Sequence, residues 1–405
     1  VPFLFGPQQG LHEKYPLFVV TSQERRRIMK IGVPKEIKNH EYRVGMTPAA
    51  VREVVARGHE VWIETQAGEG IGMDDTVYAA AGARIAANAA DVFERAELIV
   101  KVKEPQAVER ARLRPHHTLF TYLHLAPDPE QTRDLIKSGA TCIAYETVTS
   151  VNGGLPLLAP MSEVAGRMSI QAGATALEKT HGGLGLLLSG VPGVEAGRVV
   201  ILGGGVVGTN AATVAIGIGA QVTVIDKSVD ALRRISAQFG GRVQTVYSTQ
   251  HAIETHLREA DLVIGGVLIP GAAAPRLITR AMLSLMRKGA VIVDVAIDQG
   301  GCCETSRATT HADPVYVVDG VVHYCVANMP GGVPRTSTFA LNNVTLPFIL
   351  QLADHGPVAA MLADPHLLAG LNVVRGMVTN RGVADALGLV YHDPHAVLAN
   401  LPAAA

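Results

Sequence analysis

The stretch RVVILGGGVVGTNAATVAIGIGAQVTVID, residues 198–226, decides the fold. An apolar run over 199–202 leads into Gly203-Gly204-Gly205-Val206-Val207-Gly208, a G-x-G-x-x-G. A helix of small residues is expected to follow to about 219, then a second apolar strand over 222–225 that ends on Asp226. Glycine at 203 permits a tight turn, glycine at 205 lets a ligand approach the backbone, and glycine at 208 lets helix and strand pack closely. The helix start offers free N–H groups and the positive end of the peptide dipole, a setting for phosphate. An acid closing the second strand accepts hydrogen bonds from ribose hydroxyls and repels a 2′-phosphate. A bare G-x-G-x-x-G says little in a chain with 42 glycines. Strand, glycines, helix, strand and acid in this order predict a βαβ unit that binds NAD rather than NADP.

Length and composition set the frame around that unit. The 405 residues suffice for two domains of ordinary size. Hydrophobic residues make up 48% and aromatics 4%, so Val, Ile, Leu and Ala must build the core, which suits buried parallel strands. A net charge of −1 argues against an electrostatic nucleic-acid binder. The absence of 18 uninterrupted apolar residues leads us to expect no membrane span. Cys142, Cys302, Cys303 and Cys325 form no C-x-x-C pair, and they read as reduced thiols of a cytoplasmic enzyme. Residues 1–28 mix Pro, Gly and aromatics without period and lack a signal-peptide pattern. They read as an extension outside the functional core, which is expected to begin at Met29.

From Met29 a strand over 30–33 precedes a helix opened by Thr47 as N-cap and Pro48, and stopped by Gly58. Strands are expected at 61–64, 98–102, 119–123 and 141–145, with a helix over 129–138. Alternation at this spacing predicts a first doubly wound domain. The pattern breaks at Asn152-Gly153-Gly154-Leu155-Pro156, a candidate hinge, before a helix over 161–179. Beyond the glycine unit come strands at 262–265 and 290–295, and a strand pair, 315–318 and 321–324, turning at Asp319-Gly320. The chain then reads as helical to about 369, interrupted near Pro357, with a last helix over 371–379. The fold class is α/β, two doubly wound Rossmann-like domains separated by a cleft, with C-terminal helices returning to the first. The division places residues 29–156 with 335–399 in a substrate domain and 157–334 in an NAD-binding domain.

Four polar groups fall at strand ends, where ligands of open α/β sheets bind. Arg43, in the loop after the first strand, can grip a carboxylate bidentately, or be a solvated loop arginine. Lys103 can polarise a carbonyl, or be an ordinary strand-end lysine. His124 can exchange protons near neutral pH, or be a structural histidine. Asp298 follows a strand of the NAD domain, or merely forms a turn before Gly300-Gly301. Together, two cations and a proton-transfer group opposite a nicotinamide are what hydride transfer to a 2-oxo or 2-imino acid requires.

The phrases IGVPKEIKNHEYRVGMTP, KVKEP, TYLHLA, ILGGGVVG and DVAIDQGG, in this order and spacing, mark a resemblance to bacterial L-alanine dehydrogenases from Met29 to about Asn400. The resemblance implies NAD-dependent reversible oxidative deamination of L-alanine to pyruvate and ammonium, in a cytoplasmic homohexamer. It implies that Arg43 and Lys103 bind the carboxylate and carbonyl of the substrate. His124 is then the proton donor and acceptor, and Asp298 the second catalytic residue, handling ammonia or water. On the cofactor side the matching positions are Ser162, Gly203, Gly205, Val206, Val207, Gly208, Asp226 and Ser248. They continue with Val267, Leu268, Val295, Ala296, Ile297, Asp298, Arg307, Val326, Ala327, Asn328 and Met329. Ser162 is expected near the pyrophosphate, and Val267 and Leu268 near the adenosine.

Two positions depart from the family pattern. A basic residue usual five positions after the ribose-binding acid is Ala231 here, with Arg233 or Arg234 as substitutes. Near His355, Gln351 replaces a carboxylate that could hold magnesium, so no tightly bound metal is expected. The rival readings are the NAD-binding component of a proton-translocating transhydrogenase, an opine- or lysine-forming dehydrogenase, and a non-enzymatic NAD-binding regulatory protein. Arg43, Lys103 and His124 favour the alanine enzyme, and no nucleic-acid or membrane partner is expected.

Overall fold

In the computed structural model, residues 27–267 and 274–400 are described. Fifteen strands among them form two sheets. The first six are β1 (Lys30–Val33), β2 (Glu60–Glu64), β3 (Arg84–Ala86), β4 (Leu98–Val100), β5 (Thr118–Thr121) and β6 (Thr141–Ala144). They lie parallel in the order β6-β5-β4-β1-β2-β3. The second sheet takes β7 (Arg198–Leu202), β8 (Gln221–Asp226), β9 (Val243–Tyr247), β10 (Leu262–Gly265), β11 (Val291–Asp294), β12 (Val315–Val318) and β13 (Val321–Tyr324). Its order is β12-β13-β11-β10-β7-β8-β9, with β12 antiparallel at the edge. Numbered within each sheet, the parallel strands follow 3-2-1-4-5-6, the doubly wound order, and all their carboxyl ends lie along one edge.

The expected buried strands are present because both faces of each sheet are covered. Along β7, Val199 and Ile201 join one apolar cluster while Val200 and Leu202 join another. On β5, Phe120 and Leu119 divide in the same way between two clusters. The helices start and stop where local chemistry dictates. Thr47 Oγ1 accepts the Ala50 N–H ahead of the helix Pro48–Ala56. Asp128 caps the helix Pro129–Ser138, and Gly139, at φ 68°, ends it. Residues 152–156, exposed at 152–154 and partly buried at 155–156, precede the helix Ala159–Ala176, which packs on the helix Val206–Gly217 and on the helix Pro334–His355.

The C-terminal return differs from the expectation of a helix over 371–379. The chain instead makes a hairpin, β14 (Leu371–Val374) and β15 (Met377–Val378), joined by Arg375 (φ 50°) and Gly376 (φ 80°). Two successive positive φ values build a primed turn that matches strand twist. β14 pairs antiparallel with β6 and extends the first sheet, burying Leu371, Val373 and Val374 almost completely. Burial at a sheet edge outweighs the weak helical pattern of so short a segment. The helices Arg381–Leu387 and Pro394–Ala399 follow. Most of the N-terminal extension and all of Leu268 lie outside the described residues. No single described helix is long and apolar enough to cross a membrane.

Candidate functional site

The carboxyl edge of the first sheet brings three of the expected residues together, because β1, β4 and β5 are neighbours. The loop after β1 carries Arg43, the segment after β4 carries Lys103, and the segment after β5 carries His124. Arg43 and Lys103 thus flank the switch point between β1 and β4, where a doubly wound sheet opens a crevice.

Arg43 is not a solvated loop residue; it is only 2% exposed. Its bidentate face, Nε and Nη2, is already taken by the two carboxylate oxygens of Glu41. Nη2 also donates to Asn328 Oδ1 at 2.8 Å, and the Asn328 amide donates to Glu41 Oε2 at 3.0 Å. Among the described residues Nη1 meets only the Met161 thioether, at 3.1 Å, a weak acceptor. Burial alone would raise the Glu41 carboxyl, but the hydrogen bonds and charge of Arg43, helped by Asn328, hold it at about 2. The Nη1 side is therefore the part of the guanidinium left without a strong acceptor among the described residues, and the Nε side is occupied.

Lys103 is largely covered, and its ammonium stands 3.9 Å from Glu104 Oε2. Burial tends to raise the Glu104 carboxyl, yet the Lys103 and Lys38 charges hold it below the ordinary carboxylate range. His124 is the most open of the three, with a side chain 42% exposed and a backbone φ of 49°. That conformation is strained for a residue with a Cβ. It is held by Glu146, on the single turn directly after β6, whose carboxylate accepts the His124 N–H at 2.6 Å and the Leu123 N–H at 3.2 Å. The same carboxylate lies 3.8 Å from His124 Nδ1, and the Tyr122 ring stacks on the imidazole. Neither Glu41 nor Glu146 stood out as a functional residue in the sequence. The available signals were an acid two residues before Arg43 and an acid at the end of the strand next to that of His124.

The carboxyl edge of the second sheet has the form a dinucleotide requires. At Gly203, with φ 102°, a Cβ would lie 2.8 Å from Gly266 O, and at Gly208 it would lie 1.8 Å from Gly203 O. At Gly205, the N-cap of the helix Val206–Gly217, a Cβ would meet nothing within 4 Å. The loop thus leaves open space at the helix N-terminus where a phosphate could come close. Asp226 ends β8 with its carboxylate accepting the Gly204 and Ser228 N–H groups, each at 2.6 Å. It is tied to the glycine loop while remaining partly accessible. Ala231 is buried, and Arg233 pairs with Asp230 at the surface.

The other cofactor-side positions collect at the same edge. Ser248 follows β9 and donates its N–H to Asp226 O, and Val267 follows β10. Asp298 is exposed on the single turn Val295–Gln299 after β11. The buried Asp294 pins that turn through the Ala296 N–H at 3.1 Å and the following loop through Cys302 N–H at 2.8 Å. Arg307 lies over the Tyr316 ring. Val326, Ala327, Asn328 and Met329 follow β13, and Asn328, at φ 59°, reaches across to Arg43. Ser162 sits in the first turns of the helix Ala159–Ala176, next to Met161, which touches Arg43. The two carboxyl edges therefore meet at the Glu41–Arg43–Asn328 contact.

Residues 32–165 match the N-terminal domain, and residues 169–381 the C-terminal domain, of alanine dehydrogenase/PNT. The chain belongs to the alanine dehydrogenase/PNT family. An alanine dehydrogenase from Halomonas elongata is 62% identical over 363 residues, covering 90% of this chain and 98% of the relative. A solved L-alanine dehydrogenase superposes with a TM-score of 0.86 at 52% identity, covering 89% of this chain and 99% of that one. The transhydrogenase from Sinorhizobium meliloti shares the two-domain plan, with a TM-score of 0.74 at 25% identity, covering 87% and 99%.

Proposed function

We propose that the chain catalyses L-alanine + NAD⁺ + water ⇌ pyruvate + ammonium + NADH + H⁺. One observation carries the reading: Arg43, Lys103 and His124 share one carboxyl edge, and Asn328 ties that edge to the glycine-loop edge of the second body. The much higher identity to alanine dehydrogenases than to the transhydrogenase supports it. NAD is favoured over NADP by Asp226, whose charge repels a 2′-phosphate. The glycine loop, Asp226, Ser248, Val267 and the Val295–Asp298 and Val326–Met329 segments would hold the cofactor. When bound, it supplies a hydride acceptor for the substrate Cα, or in reduced form a hydride donor.

The protein's own groups do the rest. Arg43 Nη1 exchanges its weak thioether contact for the substrate carboxylate, a charge-assisted bond. Lys103 Nζ leaves Glu104 to meet the carbonyl oxygen and polarises it toward attack by ammonia. His124 takes and returns protons as ammonia adds and water leaves, and the Glu146 carboxylate supports the imidazole while it is charged. Asp298 orients ammonia or water from the cofactor side. Closure about the turn at Gly153 excludes water from the reacting centre. In this reading residues 29–156 with 335–399 form the substrate body and 157–334 the cofactor body, in a cytoplasmic homohexamer.

Initial rates of NADH oxidation test the proposal. Pyruvate and ammonium together should support turnover, and omission of either should abolish it. Equal or greater rates with 2-oxoglutarate and lysine would move the assignment to an opine- or lysine-forming enzyme. Hydride exchange with an NADP analogue, without any amino-acid turnover, would move it to the transhydrogenase component.

A further inference from the structure

The switch point of the first sheet is closed by three buried ions. Glu36, just after β1, Lys101, just after β4, and Glu109 have side chains no more than 2% exposed. Lys101 Nζ donates to Glu36 Oε2 at 3.0 Å and to Glu109 Oε1 at 2.7 Å. Lys101 therefore faces the interior, while Lys103, two residues on, is the lysine left for the cleft. Glu36 has a second task. Its Oε1 accepts the Val102 N–H at 2.7 Å and the Lys103 N–H at 3.3 Å. No other acceptor serves these two amides among the described residues.

One carboxylate thus spans from the strand that leads to Arg43 to the backbone that presents Lys103. The Arg43 loop closes on the same strand end, since a Cβ at Gly45 would lie 2.5 Å from Val100 O. A buried ion triad is weak support for stability, because an apolar group of similar volume serves as well. It is strong support for geometry, because charged, directional bonds tolerate little displacement. We infer that Glu36 is a positioning residue: it fixes the backbone at 102–103 and so sets the place of the Lys103 ammonium relative to Arg43. The inference rests on the proposed role of Lys103 toward the substrate carbonyl.

The test uses the full chain and separates pyruvate from NADH. Glu36→Gln keeps the volume but removes the charge, and it turns an amide N–H₂ toward either the ammonium or the backbone N–H groups. The variant should lose about 10- to 100-fold in kcat/KM for pyruvate, as expected for a catalytic group displaced by a fraction of an ångström to an ångström. NADH affinity, read by fluorescence, should stay within about twofold. Ile99→Val, which trims the buried core of β4, serves as a control that lowers stability while leaving the KM for pyruvate unchanged. Unchanged pyruvate kinetics in Glu36→Gln, or losses for pyruvate and NADH in parallel, would overturn the inference.

If Glu36→Gln does not fold, amide hydrogen exchange on the wild-type chain decides. Protection of Val102 and Lys103 amides to the level of β4 supports the clamp, and exchange at loop rates refutes it. Failure of the wild-type chain to turn over pyruvate and ammonium would instead refute the proposed reaction, a separate outcome.

Discussion

Glu146→Gln isolates the charge beside His124 while preserving the shape of the site. The Glu146 carboxylate stands 3.8 Å from His124 Nδ1. At that distance an imidazolium and a carboxylate attract by about 1 kcal/mol in bulk water and about 4 kcal/mol at an effective dielectric of 20. The imidazole is 42% exposed, so the watery end of the range applies. Roughly 1–2 kcal/mol is then lost from any step in which His124 carries the proton, a fall in kcat of about 5- to 30-fold. The amide oxygen of the substituted glutamine can still accept the backbone N–H of His124, so the strained φ of 49° persists. Glu146→Ala removes that acceptor as well and should add about 0.5–1.5 kcal/mol, the net worth of a hydrogen bond whose donor water can reach. Steady-state NADH oxidation with saturating pyruvate and ammonium reads kcat, and fluorescence reads NADH affinity, which should not change. In a His124→Ala background Glu146→Gln should have no further effect on kcat. A Glu146→Gln enzyme within twofold of wild type, or a full additional loss in the His124→Ala background, would refute the arrangement.

Two further outcomes follow from other parts of the molecule. Asp226→Ser removes the proposed acceptor for the adenosine ribose; NADH affinity should fall about 10- to 100-fold, the worth of hydrogen bonds to a charged group, while NADPH gains relative to NADH. An unchanged ratio of NADH to NADPH efficiency would contradict the assignment. His117, buried with Nε2 against Phe93 O and Nδ1 accepting the Arg114 N–H, is held at about 4, first by burial and then by the His116 charge. The unfolded chain takes up a proton near pH 6.5 that the folded chain refuses until near pH 4, so stability present above pH 6.5 is lost as pH falls through that window. The linked loss is roughly 3 kcal/mol, which denaturant melts from pH 7 to 4 should show and His117→Gln should remove.

Much of this architecture was legible because local chemistry and tertiary packing agree. The glycine unit, the helix caps at Thr47 and Asp128 and the Val-rich strands all take the form their residues favour. The hairpin of β14 and β15 was missed because its decisive feature, positive φ at both Arg375 and Gly376, belongs to a turn with only one glycine. At the candidate site the sequence placed Arg43, Lys103 and His124 at strand ends, which is a consequence of strand order. It did not show that Glu41 occupies the bidentate face of Arg43, nor that Asn328 completes the contact from 285 residues away. Asn328 depends on how two separately folded sheets meet, which no local spacing encodes, whereas the signal for Glu41 was local, an acid two residues before Arg43. Glu146 was hidden for a different reason: its significance lies in the adjacency of β5 and β6 within one sheet.

The proposed reaction divides labour between the two edges, one holding the cofactor and the other supplying proton transfer. His124→Ala tests it most directly, with NADH binding by fluorescence and turnover of pyruvate and ammonium measured on the same preparation. NADH affinity should stay within about twofold of wild type while turnover falls about 10²- to 10⁴-fold, the usual contribution of a general acid–base group. Turnover at the wild-type rate, or NADH binding lost together with turnover, would contradict it.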